Sequence, residues 1–558
     1  MWQQNYEPVG GSLIASSLVA AIPIAILYFM LGVRRKPSWM AALTALAVAF
    51  VLALAAYRMP APLALMAAVT GAAYGLFPIS WIVFSSIMLY RLAVHTGRFE
   101  IIKDSVGGLT SDRRLQALFI AFSFGAFIEG AAGFGAPVAV SGAMLTGLGF
   151  PPFQAAAICL MANTAPVAFG SIGIPVTTLA GITGLPVMSL SAMVGRLCAM
   201  ISLIIPMYLV VVLAGWKRTL EVLPAVVICG ASFAIVQFAV SNLMGPELTD
   251  ILSSLSCIAA MLLVLKLWKP RTIFRLQGEQ PDTAVPPRHS ASELFGAWLP
   301  YILLVIFVLV WGEVAVKRAI DGFTNGLLPS FLPRSATVLN GLAVPGLHNL
   351  VTRVPPVTSA PAPYAAVYTF NWLSSAGTAC FLAGVVFALC RRVSPRSFAG
   401  VYRQTFGQLA KPMLTIASML ALASLMNYSG MTSTLGIALA ATGRTFPFFS
   451  AILGWLGVFL TGSDTSANAL FGNLQMITAN QIGLNPVLTT SVNSAAGVMG
   501  KMIALPSIAV AVAATGLTTA DEGRLFRFTL KPSILLACVV GLIATLFAYV
   551  FPGAVPGS

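Results

Sequence analysis

The chain has 558 residues, 58% of them hydrophobic and 8% charged, with a mean hydropathy of +0.91. An ordinary soluble domain carries about 25% charged residues, so a soluble fold is excluded at this length. A net charge of +15 would suggest nucleic acid in a soluble protein, but here the basic residues cluster in short connections between apolar runs, and the partner they point to is a lipid bilayer.

A spanning helix takes roughly 20 apolar residues. The runs 11–31, 39–56, 79–94, 187–214, 222–243, 247–267, 295–316, 366–390, 410–426 and 533–551 approach or exceed that length. Further spans or half-spans belong in 115–180 and 430–515, giving about 12 to 14 crossings. A membrane β-barrel would alternate over strands of roughly ten residues; these runs are continuously apolar. The expected fold is an all-α polytopic membrane protein, a single transporter domain over 1–558. The start, Met-Trp-Gln-Gln-Asn-Tyr-Glu-Pro, has no basic residue ahead of 11–31, so that run reads as a retained helix. The seven cysteines lie in or beside apolar segments without a Cys-x-x-Cys pair and read as small buried hydrophobes.

Basic clusters at 34–36, 91–114, 217–218, 269–288, 391–411 and 524–531 are assigned to the cytoplasm by the positive-inside rule. That makes 269–293 a cytoplasmic loop and the proline-rich 319–365 an external one, with both termini outside.

Of only 16 acidic residues, two stand inside apolar stretches: Glu129 and Asp464. The other 14 read as lying at the ends, in loops or at the edges of apolar runs. An ionisable group within the membrane is expensive and marks a substrate or proton path. Gly125, Gly130, Gly133, Gly135 and Pro137 punctuate the Glu129 region, and a second interruption at 162–175 reads as a re-entrant hairpin or a broken helix. The C-terminal half repeats this grammar with Asp464, Pro486, a polar break at 493–501 and Pro506. The spacing is 23 residues from Glu129 to Pro152 and 22 from Asp464 to Pro486. Non-helical backbone at membrane depth is tolerated where it is buried in protein or lines a cavity. Matched breaks in two halves point to a transporter site at a repeat interface, with 100–215 and 410–552 as the repeat cores and an inverted relation between them.

Half-helix N-termini suit a small anion, and Lys501 adds a full charge, or else pairs with Glu129 or Asp464 to hold the fold. Asn163, Thr164, Ser466, Asn468 and Asn493 suit a substrate hydroxyl, or else join helices by hydrogen bonds. Arg196 is a second candidate partner for an anion. Burial disfavours the charged form of a carboxyl group, so Glu129 and Asp464 read as proton-coupling groups that carry a proton beside a substrate anion. His95, His289 and His348 lie in connections, which leaves histidine out of the relay. No Gly-x-Gly-Asp motif or embedded histidine supports an intramembrane protease, so the chain reads as no enzyme, with neither metal nor cofactor. A passive channel fits paired broken segments less well than alternating access does.

The sequence resembles the lactate permease family of bacterial inner-membrane carriers over roughly 10 to 550. The likeness rests on Phe-Ile-Glu-Gly-Ala-Ala-Gly-Phe-Gly-Ala-Pro-Val-Ala (127–139), Ala-Asn-Thr-Ala-Pro-Val-Ala-Phe-Gly (162–170) and Leu-Thr-Gly-Ser-Asp-Thr-Ser-Ala-Asn-Ala-Leu-Phe-Gly-Asn-Leu-Gln (460–475). Gly-Lys-Met-Ile (500–503), Ser-Ile-Ala-Val-Ala (507–511) and Pro-Gly-Leu-His-Asn (345–349) also match. The resemblance implies proton-coupled uptake of L-lactate, D-lactate or glycolate, small 2-hydroxymonocarboxylates. It also implies a fold with inverted repeats and re-entrant hairpins that moves as an elevator. Sodium coupling or another small carboxylate is the alternative, and no oligomeric state is implied. One departure stands out: Ala504-Leu505-Pro506 replaces the Ser-Pro-Gln usual in the family, removing two polar side chains at an expected hairpin tip.

Overall fold

A computed structural model describes residues 1–133, 135–276, 289–326 and 341–557. Arg288 of the basic clusters, and parts of the loops 269–293 and 319–365, lie outside the described residues. Among the described residues eleven helices are long and apolar enough to cross a membrane, or thirteen if two bent pairs each count as one span. Exposed Leu18, Val51, Ile235, Leu263, Leu535 and Leu542 sit on the outside of these helices. Such an apolar surface suits lipid as its solvent and marks a liability in water.

Several boundaries differ from the sequence expectation for identifiable reasons. Ala61–His95 is one bent span of 35 residues, broken where Phe77 takes an extended conformation (φ −139°, ψ 128°) ahead of Pro78; the expectation began only at 79. Pro395–Ser429 is one helix of 35 residues that carries its basic first half beyond the apolar run at 410–426. The run 366–390 yields only Ala376–Cys390, because Val367–Tyr368 pairs as a strand and the chain then turns before Ser375 caps the helix. Val351–Arg353 pairs parallel with Trp2–Gln3 and antiparallel with Ala362–Pro363, while Leu342–Ala343 pairs with Val367–Tyr368. The helical bundle therefore carries a small β cap, favoured where dense proline between 345 and 363 rules out helix.

The two faces of the bundle are identified by what gathers on them. Arg114 donates to the Arg218 carbonyl (2.7 Å), to Glu221 (2.8 Å) and to the Thr272 carbonyl (2.8 Å), joining three basic connections. On the opposite face the N-terminal strand joins the β cap, and Gln481 donates to the Pro356 carbonyl at 2.7 Å. The first face carries the basic residues that the positive-inside rule expects in the cytoplasm.

Each half runs through the same succession. In the first, Arg113–Ala131 and Ala136–Gly147 form a hairpin, Pro152–Ala162 and Val167–Thr183 a pair bent by 61°, and Val187–Ala214 a long helix. In the second, Gly443–Thr461 and Asp464–Gln481 form the hairpin, Pro486–Ile503 and Leu505–Thr515 the pair, bent by 45°, and Glu522–Tyr549 the long helix. Proline starts four of these segments, at Pro137, Pro152, Pro486 and Pro506, where its missing N–H has no partner to lose. The ends of the first hairpin lie on the basic face, with Arg113 over the Phe150 ring. Those of the second lie on the opposite face, near Gln481. Their tips therefore point past each other through the bundle.

Candidate functional site

The two hairpin tips and the two helix breaks enclose a cavity of about 440 Å³ lined by Glu129, Ser171, Asp464, Ser466, Lys501 and Ser507. Its wall continues through Pro37 and Lys411, both exposed at the basic face. The cavity thus runs from the basic surface to the depth of Glu129.

Asp464 owes its place to the turn before it. Gly462 at φ 72° reverses the chain, and Ser463 caps the new helix by accepting from the Ser466 N–H at 3.2 Å, the usual service of an N-cap serine. Asp464 falls in the first helical turn, where the helix dipole favours an anion. Its Oδ2 accepts from Ser494 Oγ at 2.5 Å and from Asn468 Nδ2 at 3.4 Å, while Oδ1 has no donor.

Glu129 is 3% exposed and its Oε2 has no partner. It is held against the start of the second broken segment, where a methyl group on Gly170 would lie 2.6 Å from Oε1. Beyond Gly170 the backbone is left-handed at Ser171, Ile172 and Gly173 (φ 47°, 60° and 71°), a strained state for β-branched Ile172. Contacts on both sides maintain it: Ser171 Oγ donates to the Ala132 carbonyl at 2.9 Å, and Gly173 packs on Pro246. Strain of this kind collects at functional sites.

Lys501 stands at the second break, in the single turn Lys501–Ile503 ahead of Leu505–Thr515. Its charge acts on both Glu129 and Asp464, yet it forms no ion pair within 4.0 Å among the described residues. The fold-holding alternative, a direct salt bridge, is therefore not made in this conformation. Ala504-Leu505-Pro506 is not a hairpin tip: it is the bend between the paired helices, and Pro506 lines the cavity while packing against Gly462.

The remaining expected site residues divide. Ser466 lines the cavity with Asp464 and Lys501. Asn468 and Asn493 instead join helices: Asn493 Nδ2 donates to Asn468 Oδ1 (2.9 Å), Gln475 Nε2 to Asn493 Oδ1 (2.8 Å), and Asn468 Nδ2 to the Pro175 carbonyl (3.2 Å). Thr164 turns its hydroxyl back to the Met161 carbonyl at 2.7 Å. Asn163 is buried with neither side-chain amide atom bonded, and it lies next to Glu129. Neither Asn163 nor Asn493 stands at a helix N-terminus. Asn163 ends its helix, and Asn493 is in the middle of Pro486–Gly500, because that helix runs on to Gly500 before it breaks. Helix N-termini at the cavity include those of Asp464–Gln481 and Leu505–Thr515. Arg196 is turned away from the cavity, bonding Asn242 and the Ala554 carbonyl.

Among the described residues, one buried acid without a hydrogen-bond partner escaped the sequence reading. Asp250, placed at the edge of an apolar run, is 1% exposed with neither carboxylate oxygen bonded. Its signal was an acid just after Gly245-Pro246 with no basic residue one turn on.

The chain matches the L-lactate permease family over residues 16–551. It belongs to that family. A relative named L-lactate permease, from Bacillus subtilis, is 48% identical over 100% of both chains. One named glycolate permease GlcA, from Escherichia coli, is 43% identical over 99% of both. Among solved structures, Neisseria gonorrhoeae MtrF, described within a class of antimetabolite efflux pumps, is 13% identical, with 91% of this chain and 95% of that one covered and a TM-score of 0.47. Membership in a permease family, with this many spans, makes the chain a multi-pass protein of the bacterial plasma membrane and indicates a transporter rather than an enzyme.

Proposed function

We propose that the protein imports a small 2-hydroxymonocarboxylate, L-lactate and also D-lactate or glycolate, together with a proton. The names of the relatives support the substrate class. The observation that carries the coupling is the unpaired Lys501 between two buried carboxyl groups in one cavity.

With both acids ionised the trio sums to one negative charge, and a substrate anion makes it two. A proton on Glu129 or Asp464 cancels the addition. Like charges about 6 Å apart at an effective dielectric of about 20 repel by about 3 kcal/mol, so proton and anion each favour the other's binding by roughly 100-fold, and the linkage is reciprocal.

In this reading the substrate carboxylate sits between Lys501 and the unpaired N–H groups at the start of Leu505–Thr515, with Ser507 beside it. Ser466 receives the hydroxyl group. Asn163 orients Glu129, and Asn468, Asn493 and Thr164 hold the helices that carry the site. The matched succession in 100–215 and 410–552, whose hairpins enter from opposite faces, supports an inverted-repeat carrier that exposes the cavity alternately. The loops 269–293 and 319–365 lie inside and outside.

The test is uptake of labelled L-lactate, D-lactate and glycolate into proteoliposomes under an inward proton gradient without sodium. Accumulation that a protonophore abolishes is expected. Uptake that begins only when sodium is added would replace the proton by a sodium ion.

A further inference from the structure

Asp250 packs beside Gly130, the neighbour of Glu129, and does not line the cavity. Helices Leu223–Leu243 and Thr249–Leu267 form a hairpin whose open ends join the basic face through Arg218 and Thr272. Its turn, 244–248, is therefore on the outer face, and Asp250 follows that turn directly. Gly130, next to Glu129, has no side chain where the two helices cross: a methyl group there would lie 2.7 Å from Asp250 Cβ. The ordinary use of an acid in the first turn of a helix is to accept from its backbone N–H groups. Asp250 does not do this, since neither oxygen accepts any bond. A buried carboxyl group without a donor calls for an explanation.

Its surroundings narrow that explanation. Charge on Glu129 is felt at Asp250. Neither lysine nor arginine pairs with Asp250 among the described residues. Three residues earlier, Glu247 is partly exposed at the outer turn, near Lys317. The acids thus form a series from the outer surface inward: Glu247, Asp250, Glu129 and then the cavity.

We infer that Asp250 is the outer station of the proton path, passing protons from the outer face to Glu129 while the substrate uses the cavity. The Asp250 carboxylate takes a proton from a hydronium ion, leaving water. It then gives the proton to the Glu129 carboxylate and is itself restored. This inference rests on the symport reading above. It adds that proton and substrate reach the site by different routes when the cavity faces the cytoplasm.

The experiment compares two modes in proteoliposomes containing the full chain: accumulation of labelled L-lactate driven by a proton gradient, and exchange against internal unlabelled L-lactate without a gradient. Asp250→Asn is expected to lose gradient-driven accumulation at least tenfold and to keep exchange within about threefold, which also reports that it has folded. Asp250→Glu keeps the carboxyl group and is expected to retain most accumulation. Because Asp250 acts through Glu129, the double variant Glu129→Gln/Asp250→Asn is expected to accumulate no less than Glu129→Gln alone. Normal accumulation in Asp250→Asn, an equal loss of both modes, or a further loss in the double variant would each overturn the inference. A wild-type protein without proton-driven uptake would instead overturn the symport reading on which it rests.

Discussion

Ser494 donates its hydroxyl to Asp464 Oδ2 at 2.5 Å across the gap between two helices of the C-terminal half. It is the closer of the two donors to that carboxylate; Asn468, on the carboxylate's own helix, stands at 3.4 Å. A hydrogen bond to a charged group contributes about 1.5–3 kcal/mol. Ser494→Ala is therefore expected to lower proton-driven accumulation about tenfold while changing the KM for L-lactate less than about threefold, and Ser494→Thr should restore it. Initial-rate uptake in proteoliposomes separates the two parameters.

Lys501 is the positive charge that shares the cavity wall with Glu129 and Asp464, and the proposed substrate is an anion. Lys501→Gln removes a charged hydrogen bond of about 1.5–3 kcal/mol, which corresponds to a KM for L-lactate raised by roughly 10- to 150-fold. Lys501→Arg keeps the charge but presents a planar fork in place of a compact ammonium, and is expected to recover only part of the loss. An unchanged KM in Lys501→Gln would remove this lysine from the substrate site.

The carboxyl groups should separate exchange from accumulation. In Glu129→Gln and in Asp464→Asn the site can no longer gain and lose the coupled proton at the altered residue. Whichever residue carries that proton is expected to retain lactate exchange on substitution and to lose accumulation against a gradient. If both variants accumulate normally with full proton dependence, neither acid is the carrier.

Gly170 is small because Glu129 is there. Gly170→Ala would put a methyl group 2.6 Å from Oε1 and 3.1 Å from Cγ of Glu129, pushing the carboxyl group out of its position. Transport is expected to fall at least tenfold while the purified protein remains monodisperse. Gly147, with nothing within 4 Å of an added methyl group, is the control, and Gly147→Ala should transport normally.

The sequence made the helical class and the two odd acids legible because hydropathy and isolated charge are local signals. It could not show which wall each polar residue would face. Asn468 and Asn493 look like Ser466 in a string of letters, and only the helix crossing sends them into one another and Ser466 into the cavity. The interruption at 162–175 is visible in its Gly and Pro, but not that the chain turns through 163–169 and through the left-handed residues 171–173 before the helix resumes. Asp250 was passed over for a related reason. At the edge of an apolar run an acid ordinarily reaches water, and its burial depends on Gly130, more than a hundred residues away. The β cap was hidden because its strands are only two or three residues long, too short for an alternating pattern.

The basic face is fastened at Arg114, and its removal tests the assembly rather than the site. The side chain is fully buried and forks onto Asp112, with Nε to Oδ1 at 3.1 Å and Nη2 to Oδ2 at 2.7 Å. The same guanidinium bonds Glu221 and two backbone carbonyls. Truncating one partner of a buried ion pair leaves the other's charge uncompensated, at a cost of about 3–5 kcal/mol. Arg114→Met is therefore expected to lower the Tm of the detergent-solubilised protein by several degrees. Arg114→Lys should recover less than half, since one ammonium cannot reach all five acceptors. Acid should narrow the difference. The Arg114 hydrogen bond, followed by that from Thr272, holds the exposed Glu221 carboxyl below its ordinary range. A depressed folded-state value stabilises above the unfolded one and is lost as pH falls through the folded one. The Tm gap between wild type and Arg114→Met should thus be widest near neutral pH and shrink below the carboxylate range. A gap that stays constant down to that pH would mean that Glu221 contributes nothing to the clasp.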